Sequence, residues 1–393
     1  MKFPPSLYFF IFGRNPQLSR AELLSYLLSR SISIKSHQAE KDFLLIEVLG
    51  SLNFLELTTN LAGTVKFGKI YFITEESNKI LDSLRQLNFY IEDTKNLTYS
   101  ISAYGNNIME SHYHEVFKQL YKESKQKASL KKPTPSGLSN ALKKHNFIDL
   151  VVCKSQNQFF FGRTIGAYDI KQNKLRYEKR PYVDESIGSS IRISRILVNL
   201  SQKVKGKLLD PFCGIGTILQ EALLLSFDVL GTDLNSQRVQ QCKENLTWIK
   251  QQTPKYLPDF DIIQADVKDI LFKIPPLSVD TVVTEPELGP LLKNIPNSRE
   301  AQIIMDSLER LYCIAFYNLD RLLKPSGTMI FVIPEIITTN NKKIRPSVHT
   351  LIADTQLRII SEISCEELTV FFPIFYKEKW HKLGRWIYLF HKG

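Results

Sequence analysis

The turn DPFCGIGTI, Asp210 to Ile218, follows the apolar run GKLL and opens a run of helical spacing. Gly214 and Gly216 let the backbone come close to a ligand, and the helix start at Thr217 offers unpaired N–H groups. At the end of the next apolar run stands Asp233, whose carboxylate can accept hydrogen bonds from both hydroxyls of a ribose. Asp266, in QADV, is placed to bond an adenine amino group while Ala265 and Val267 flank the ring. Leu219 stands where a dinucleotide-binding pattern has its third glycine, and an acid precedes the loop. Both features favour S-adenosylmethionine over a dinucleotide. The expected cofactor-lining residues are Asp210, Phe212, Gly214, Gly216, Thr217, Asp233, Leu234, Asp266 and Val267.

A second stretch, TEPELGP, ends the apolar run VDTVV. Thr284, Glu285, Pro286, Glu287 and Leu288 therefore emerge together from a buried strand, with two carboxylates separated by one proline. Carboxylates at such a strand end can accept hydrogen bonds from an amine, orient its lone pair and take up a proton as a new bond forms. Alignment for in-line transfer is a large part of such work. Leu288 can press on a base face, but it lacks the aromatic surface whose stacking is worth roughly 1–3 kcal/mol per base. Tyr182 or Phe161 are candidates to supply a ring from elsewhere in the chain.

These residues need a scaffold, and the pattern predicts one. From Ile191 to the end, buried strand-like runs alternate with helical ones (GKLLDPF, TILQEALLLS, DVLGTDL, SQRVQQCKENLTWI, DFDIIQADV, VDTVVTEP). A long helix from about Arg299 to Leu323 and the strand GTMIFVIP follow, and the close reads LRIISEI, LTVFFP and GRWIYLFHK. That order predicts a mostly parallel sheet covered on both faces, with antiparallel strands at its end. The first 75 or so residues predict a small sheet with helices, including SRAELLSYLLSR with Ser19 as N-cap and SLNFLELTTNLAGTV as a second helix. From Asn78 the alternation restarts with the strand LTYSISAYG and the amphipathic helix ESHYHEVFKQLYKESKQ.

The charge is unbalanced: Lys plus Arg number 51 against 40 Asp plus Glu, a formal net charge of +11. An excess of that sign favours a polyanionic partner, because cationic faces gain affinity by displacing counterions from phosphates. Between Tyr121 and Leu150 seven lysines face two acids, and KQNKLRYEKRPY (171–182) interleaves cations with Tyr177 and Tyr182. Lys131, Lys132, Lys143, Lys144, Arg176 and Arg180 are the expected phosphate contacts. Five scattered cysteines without a CxxC exclude a disulfide framework or a zinc site and fit a reducing cytoplasm. His112 and His114 have no third ligand at suitable spacing, so no metal is expected. SLYFFIF reads as a first strand and not as a signal peptide, and no run is long enough to span a bilayer.

DPFCGIGTILQEA resembles motif I of the THUMP-domain tRNA guanine-N2-methyltransferase family of the guanosine-10 type. FGRTIGAYD is similar to the last strands of a THUMP domain, and RPYVDESIGSSIRISRILVNLS resembles the family's linker. In that linker Ser190-Ile191-Arg192 replaces the usual Pro-Pro-Lys. The resemblance covers most of the chain. It implies an α/β fold: a Rossmann-fold class I methyltransferase domain preceded by ferredoxin-like and THUMP-like α+β domains. The implied boundaries are 1–77 for the ferredoxin-like domain, 78–170 for the THUMP-like RNA-binding domain, 171–190 for a basic linker and 191–393 for the methyltransferase domain. It also implies S-adenosylmethionine as methyl donor and tRNA as partner. Related eukaryotic enzymes work with a small activating subunit, for which this sequence carries no readable surface signature.

Family members read T-D-P-P-Y-G where this chain reads TEPELG. With Thr284 and Gly289 as anchors, Glu285 falls on the acid, Pro286 on the first proline, Glu287 on the second and Leu288 on the aromatic residue. A shifted register would put Glu287 on the aromatic. Three readings stay open at this point: a tRNA guanine-N2-methyltransferase, a methyltransferase for another RNA nucleoside, and a catalytically silent RNA-binding protein.

Overall fold

The computed structural model describes residues 7–75, 96–106, 108, 110–123, 125, 127–183, 190–253, 256–377 and 381–393. The boundary expected between 77 and 78, and residues 184–189 of the linker motif, lie outside them. The chain forms two compact units. The first takes in Met1–Leu23, Ser31–Leu175 and Ser364–Leu368, and the second takes in Leu24–Arg30, Arg176–Ile363 and Thr369–Gly393.

In the first unit, the strands are β1 (Leu7–Phe12), β2 (Ile34–Ala39), β3 (Phe43–Val48), β4 (Thr64–Thr74), β5 (Leu97–Tyr104), β6 (Ala128–Leu130), β7 (Phe147–Ser155) and β8 (Gln158–Ala167). They form one sheet in the order β2-β3-β1-β4-β8-β7-β5-β6. The segments 1–77 and 78–170 thus share a sheet, joined where β4 pairs antiparallel with β8 from Lys66↔Ala167 to Thr74↔Phe159. At the centre of this unit Lys66 Nζ donates to Asp149 Oδ2 at 2.7 Å, and Ser100 and Thr164 donate to the same carboxylate. Burial alone would pull the Lys66 ammonium down; Asp149 more than offsets that and holds it above its ordinary value. The Ser19 cap is corrected: the helix runs Pro16–Ser29, with proline at its first position, and Ser19 Oγ donates to the Asn15 carbonyl inside the first turn. The second helix is likewise shorter than the sequence suggests, Phe54–Asn60 with Asn53 as N-cap, because the chain from Thr64 joins β4.

The second unit carries the parallel sheet. Its strands are β9 (Lys207–Asp210), β10 (Asp228–Asp233), β11 (Phe260–Gln264), β12 (Val279–Thr284), β13 (Leu323–Ile337), β14 (Lys343–Ile344), β15 (Leu357–Ile360), β18 (Ile374–Tyr376) and β19 (Leu383–Lys392); β16 (Glu362–Cys365) and β17 (Leu368–Phe371) form a two-stranded ribbon of their own. The order is β11-β10-β9-β12-β13-β19-β15. Strands β11 through β13 run parallel, while β19 lies antiparallel to β13 and β15. Chain order reverses between β9 and β12, which is where open α/β sheets bind ligands beyond the strands' carboxyl ends. One face of the sheet is closed by the helix Ser298–Leu322, whose Phe316 packs edge-on against Phe331 and Phe390.

Two departures from the expected motifs have local structural reasons. Leu219 occupies the place of a third glycine, and Gly231 on β10 makes room for it: a Cβ on Gly231 would lie 2.5 Å from Leu219 Cδ1. Ser190, which departs from the family linker, caps the helix Ile191–Asn199 by accepting from the Ile193 N–H. The basic stretch 171–190 is itself partly helical, Ile170–Lys179. No helix among the described residues is long and apolar enough to cross a membrane, and no group of three His, Cys, Asp or Glu among them is placed to hold a metal.

Candidate active site

A cavity of about 910 Å³ opens at the carboxyl ends of β9, β10, β11 and β12. Asp210 ends β9 and is almost fully buried. Its Oδ1 accepts from Thr284 Oγ1 at 2.7 Å and from the Phe212 N–H at 3.2 Å. Burial pushes its carboxyl up to about 7; the two hydrogen bonds pull it back, and the charges of Asp233 and Glu285 add to the rise. Asp233 clamps the glycine loop: Oδ2 accepts from the Gly214 N–H and Oδ1 from the Asn235 N–H, both at 2.9 Å. Each oxygen retains a second lone pair for a ligand hydroxyl. Asp266 Oδ1 accepts from the Lys268 N–H at 2.9 Å, and Phe212, Leu234, Ala265 and Val267 line the wall beside it.

The two glycines have different reasons to be glycine. Gly214 has φ +52° and lines the cavity, and a Cβ there would meet nothing within 4 Å. Gly216, at φ +86°, is not a lining residue; a Cβ there would lie 2.6 Å from Cys242 Sγ, so close packing under the helix Thr217–Leu224 dictates it. Thr217 does line the cavity, and its hydroxyl accepts from Arg180 Nη1 at 3.0 Å.

The TEPELG loop forms the opposite wall. Thr284 is buried and turned onto Asp210, while Glu285, Pro286, Glu287 and Leu288 line the cavity. Glu285 Oε1 accepts from Arg385 Nε at 2.6 Å, with the two side chains 6% and 5% exposed, and Oε2 is buried without a hydrogen-bond partner among the described residues. Glu287 is exposed; its carbonyl accepts the hydroxyl of Tyr312, a residue of the helix Ser298–Leu322. Burial, with Glu287 and Glu285 nearby, drives that tyrosine hydroxyl well above its ordinary value, so it stays protonated and able to donate. Gly289, at φ +100°, turns the chain out of the loop.

Of the two candidate rings, Phe161 is excluded: it lies 4.4 Å from Phe72, nearly parallel, inside the core of the first unit. Tyr182 does not line the cavity; its N–H donates to Asn245 Oδ1 and its hydroxyl is raised by its bond to Glu244. Among the described lining residues the aromatic side chains are Phe212 and His381. The expected phosphate contacts divide. Lys131, Lys132, Lys143 and Lys144 are exposed, with Lys132 paired to Glu110 and Lys143 near Asp169. Arg176 and Arg180 are turned inward, Arg176 onto the buried Glu221 and Arg180 onto Thr217 with its guanidinium over Tyr177. Arg180 is 3% exposed and is not placed to meet a phosphate. Sequence reading missed Arg385, Tyr312 and Ser194, the first and last of which line the cavity.

Comparison with known proteins places these features in a family. Residues 188–339 match the RMKL-like methyltransferase domain family (UPF0020). Over 118 residues the chain is 36% identical to the tRNA (guanine(10)-N2)-dimethyltransferase of Methanothermobacter thermautotrophicus, an alignment spanning 30% of this chain and 32% of that relative. A protein of the same name from Pyrococcus abyssi is 25% identical over 308 residues, 78% of this chain and 85% of the relative. A Methanothermococcus thermolithotrophicus protein described as a probable enzyme of that name is 30% identical over 141 residues, 36% of this chain and 78% of the relative. Among solved structures, TrmN from Thermus thermophilus shares the fold, with TM-score 0.54 and 14% identity over 98% of this chain and all of that one. With the methyltransferase domain matched and most of a 30%-identical relative covered, the chain belongs to the tRNA (guanine(10)-N2)-dimethyltransferase family.

Proposed function

We propose that the protein methylates the exocyclic N2 of a guanosine in tRNA, with S-adenosylmethionine as donor. The observation that carries this reading is that one cavity is walled on one side by the Asp210, Asp233 and Asp266 set and on the other by the TEPELG loop. The cofactor fits the groups present: Asp233 has lone pairs for ribose hydroxyls, Asp266 and the apolar wall of Ala265 and Val267 suit an adenine, and the glycine loop is open over Gly214. When bound, the cofactor supplies an electrophilic methyl group on a sulfonium.

The chain's own residues do the rest. A guanine amine is a poor nucleophile because its lone pair is delocalised into the ring. Glu285 Oε2, buried and without a partner among the described residues, accepts one of its N–H bonds, turns the lone pair toward the methyl and receives the proton released as the N–C bond forms. Pro286 and Leu288 hold the base, and the low polarity of the buried strand end strengthens the acceptor. A silent RNA-binding protein has no use for a buried acceptor carboxylate inside such a cavity, which is why the catalytic reading is preferred.

The remaining assignments belong to the same reading. Segments 1–77 and 78–170 are the ferredoxin-like and THUMP-like domains, 171–190 connects them to the catalytic domain 191–393, and the exposed Lys131, Lys132, Lys143 and Lys144 meet tRNA phosphates in the cytoplasm. The relatives' names point to guanosine 10. A tRNA carrying inosine there lacks the exocyclic amine. It should accept no methyl where the guanosine form does, and equal labelling of the two would sink the assignment.

A further inference from the structure

The chemistry just assigned to Glu285 leaves a question of charge. Asp210 ends β9 and Glu285 follows the neighbouring strand β12, and the two acids are close enough for Glu285 to raise Asp210. Glu285 can accept an amine proton only if it is held as a carboxylate. The cation that answers is Arg385, a residue 100 positions later in the chain. It stands on β19, with β13 on one side and β18 on the other: Arg385 pairs with Pro334 and with Tyr376, and its guanidinium lies over the Tyr376 ring at 5.7 Å. Its backbone is therefore fixed by two neighbours. The Nε reaches a single oxygen, Oε1, and leaves Oε2 without a partner among the described residues.

A buried ion pair is a poor device for stability, because apolar residues of similar volume do as well or better. A purely structural pair would also satisfy both carboxylate oxygens. We infer that Arg385 is a positioning residue, resting on the proposed transfer to an exocyclic amine: it holds the Glu285 carboxyl oriented through Oε1 so that Oε2 faces the target N–H. The longer glutamate and the arginine work together, since the added methylene is fixed in place by the partner charge.

The test uses the full chain, tRNA, and four variants: Arg385→Met, Arg385→Lys, Glu285→Gln and the double variant Arg385→Met with Glu285→Gln. Methyl transfer is measured beside equilibrium binding of S-adenosylhomocysteine and of tRNA, and beside thermal midpoints. Arg385→Met is expected to lower kcat by ~100-fold, the range of one positioned acid–base group. The KM for tRNA and both binding constants should stay within ~3-fold, because only an interaction made in the transition state is lost. Arg385→Lys should recover much of the loss, since an ammonium can still hold Oε1. The double variant should be no slower than Glu285→Gln alone.

A wild-type kcat in Arg385→Met, or losses that multiply in the double variant, would overturn the proposal. So would a loss of S-adenosylhomocysteine binding in parallel with kcat, which is what a merely structural arginine gives. Should Arg385→Met not fold, Arg385→Lys and Glu285→Gln still decide: a lysine variant clearly faster than Glu285→Gln with unaltered binding supports positioning, and one as slow as Glu285→Gln, or one with weakened cofactor binding, contradicts it. A wild-type protein that methylates nothing overturns the functional reading and this proposal together, whereas an active wild type with an indifferent Arg385 overturns the proposal alone.

Discussion

Asp210 binds a proton in the folded protein at pH values where an ordinary aspartate has released it, because burial pushes its carboxyl up to about 7. The sign follows directly. Between the ordinary carboxylate range and about 7, this carboxyl holds more proton in the folded state than in the unfolded chain, so its contribution to stability is greatest below that window and is lost as pH rises through it. Asp210→Asn removes the effect. Urea denaturation at pH 5 and pH 8 should therefore show the asparagine variant gaining on the wild type by roughly 2–4 kcal/mol between the two, since each pH unit inside the window changes stability by about 1.4 kcal/mol. An equal difference at both pH values would contradict the assignment. Asp233 is tested by affinity: Asp233→Ala removes the acceptor for ribose hydroxyls and the clamp on Gly214, and should weaken S-adenosylmethionine by about 10- to 100-fold. An unaffected dissociation constant, measured by calorimetry, would take Asp233 out of the site. Both aspartates were readable from the chain because each ends an apolar run next to glycine or a helix start. Arg385 was not, because its partner lies 100 residues away and only the antiparallel placement of β19 against β13 brings them together.

The elements carry the site through a few contacts that can be removed singly. Tyr312 ties the helix Ser298–Leu322 to the Glu287 carbonyl, so Tyr312→Phe should cost about 1 kcal/mol of stability and lower kcat more than cofactor affinity. A variant with unchanged kcat would show that the loop keeps its shape without the bond. Gly216→Ala places a methyl against Cys242 Sγ at a left-handed φ, and should destabilise by about 1–3 kcal/mol. A melting midpoint equal to the wild type would contradict the packing role. The alternation of buried strands and helices from β9 onward was legible because parallel strands, covered on both faces, read as continuous apolar runs. Ser19 misled because the helix begins at Pro16, three residues earlier, and Leu18 already belongs to its buried face. Phe161 misled because period-two alternation in β8 does not say which face of the sheet is core, and it proved to lie against Phe72. Arg176 and Arg180 looked like surface cations in a basic stretch; Glu221, an acid on a helix of the methyltransferase domain, turns Arg176 inward, and Thr217 does the same for Arg180.

At the scale of the molecule, the excess of basic residues suits an RNA partner, and the first unit presents four exposed lysines between residues 131 and 144. Replacing Lys131, Lys132, Lys143 and Lys144 together with glutamine should weaken tRNA binding and flatten the dependence of log affinity on log salt, by ~0.7–0.9 for each phosphate no longer neutralised. An unchanged slope would move the RNA path elsewhere on the protein. The most direct measurement of the central claim is methyl transfer. Unmodified bulk tRNA is incubated with the protein and labelled S-adenosylmethionine, digested to nucleosides, and resolved by mass spectrometry. Label in N2-methylated guanosine, abolished by Glu285→Gln, is the expected result. Label in a different nucleoside, or none despite measurable binding of both cofactor and tRNA, would contradict it.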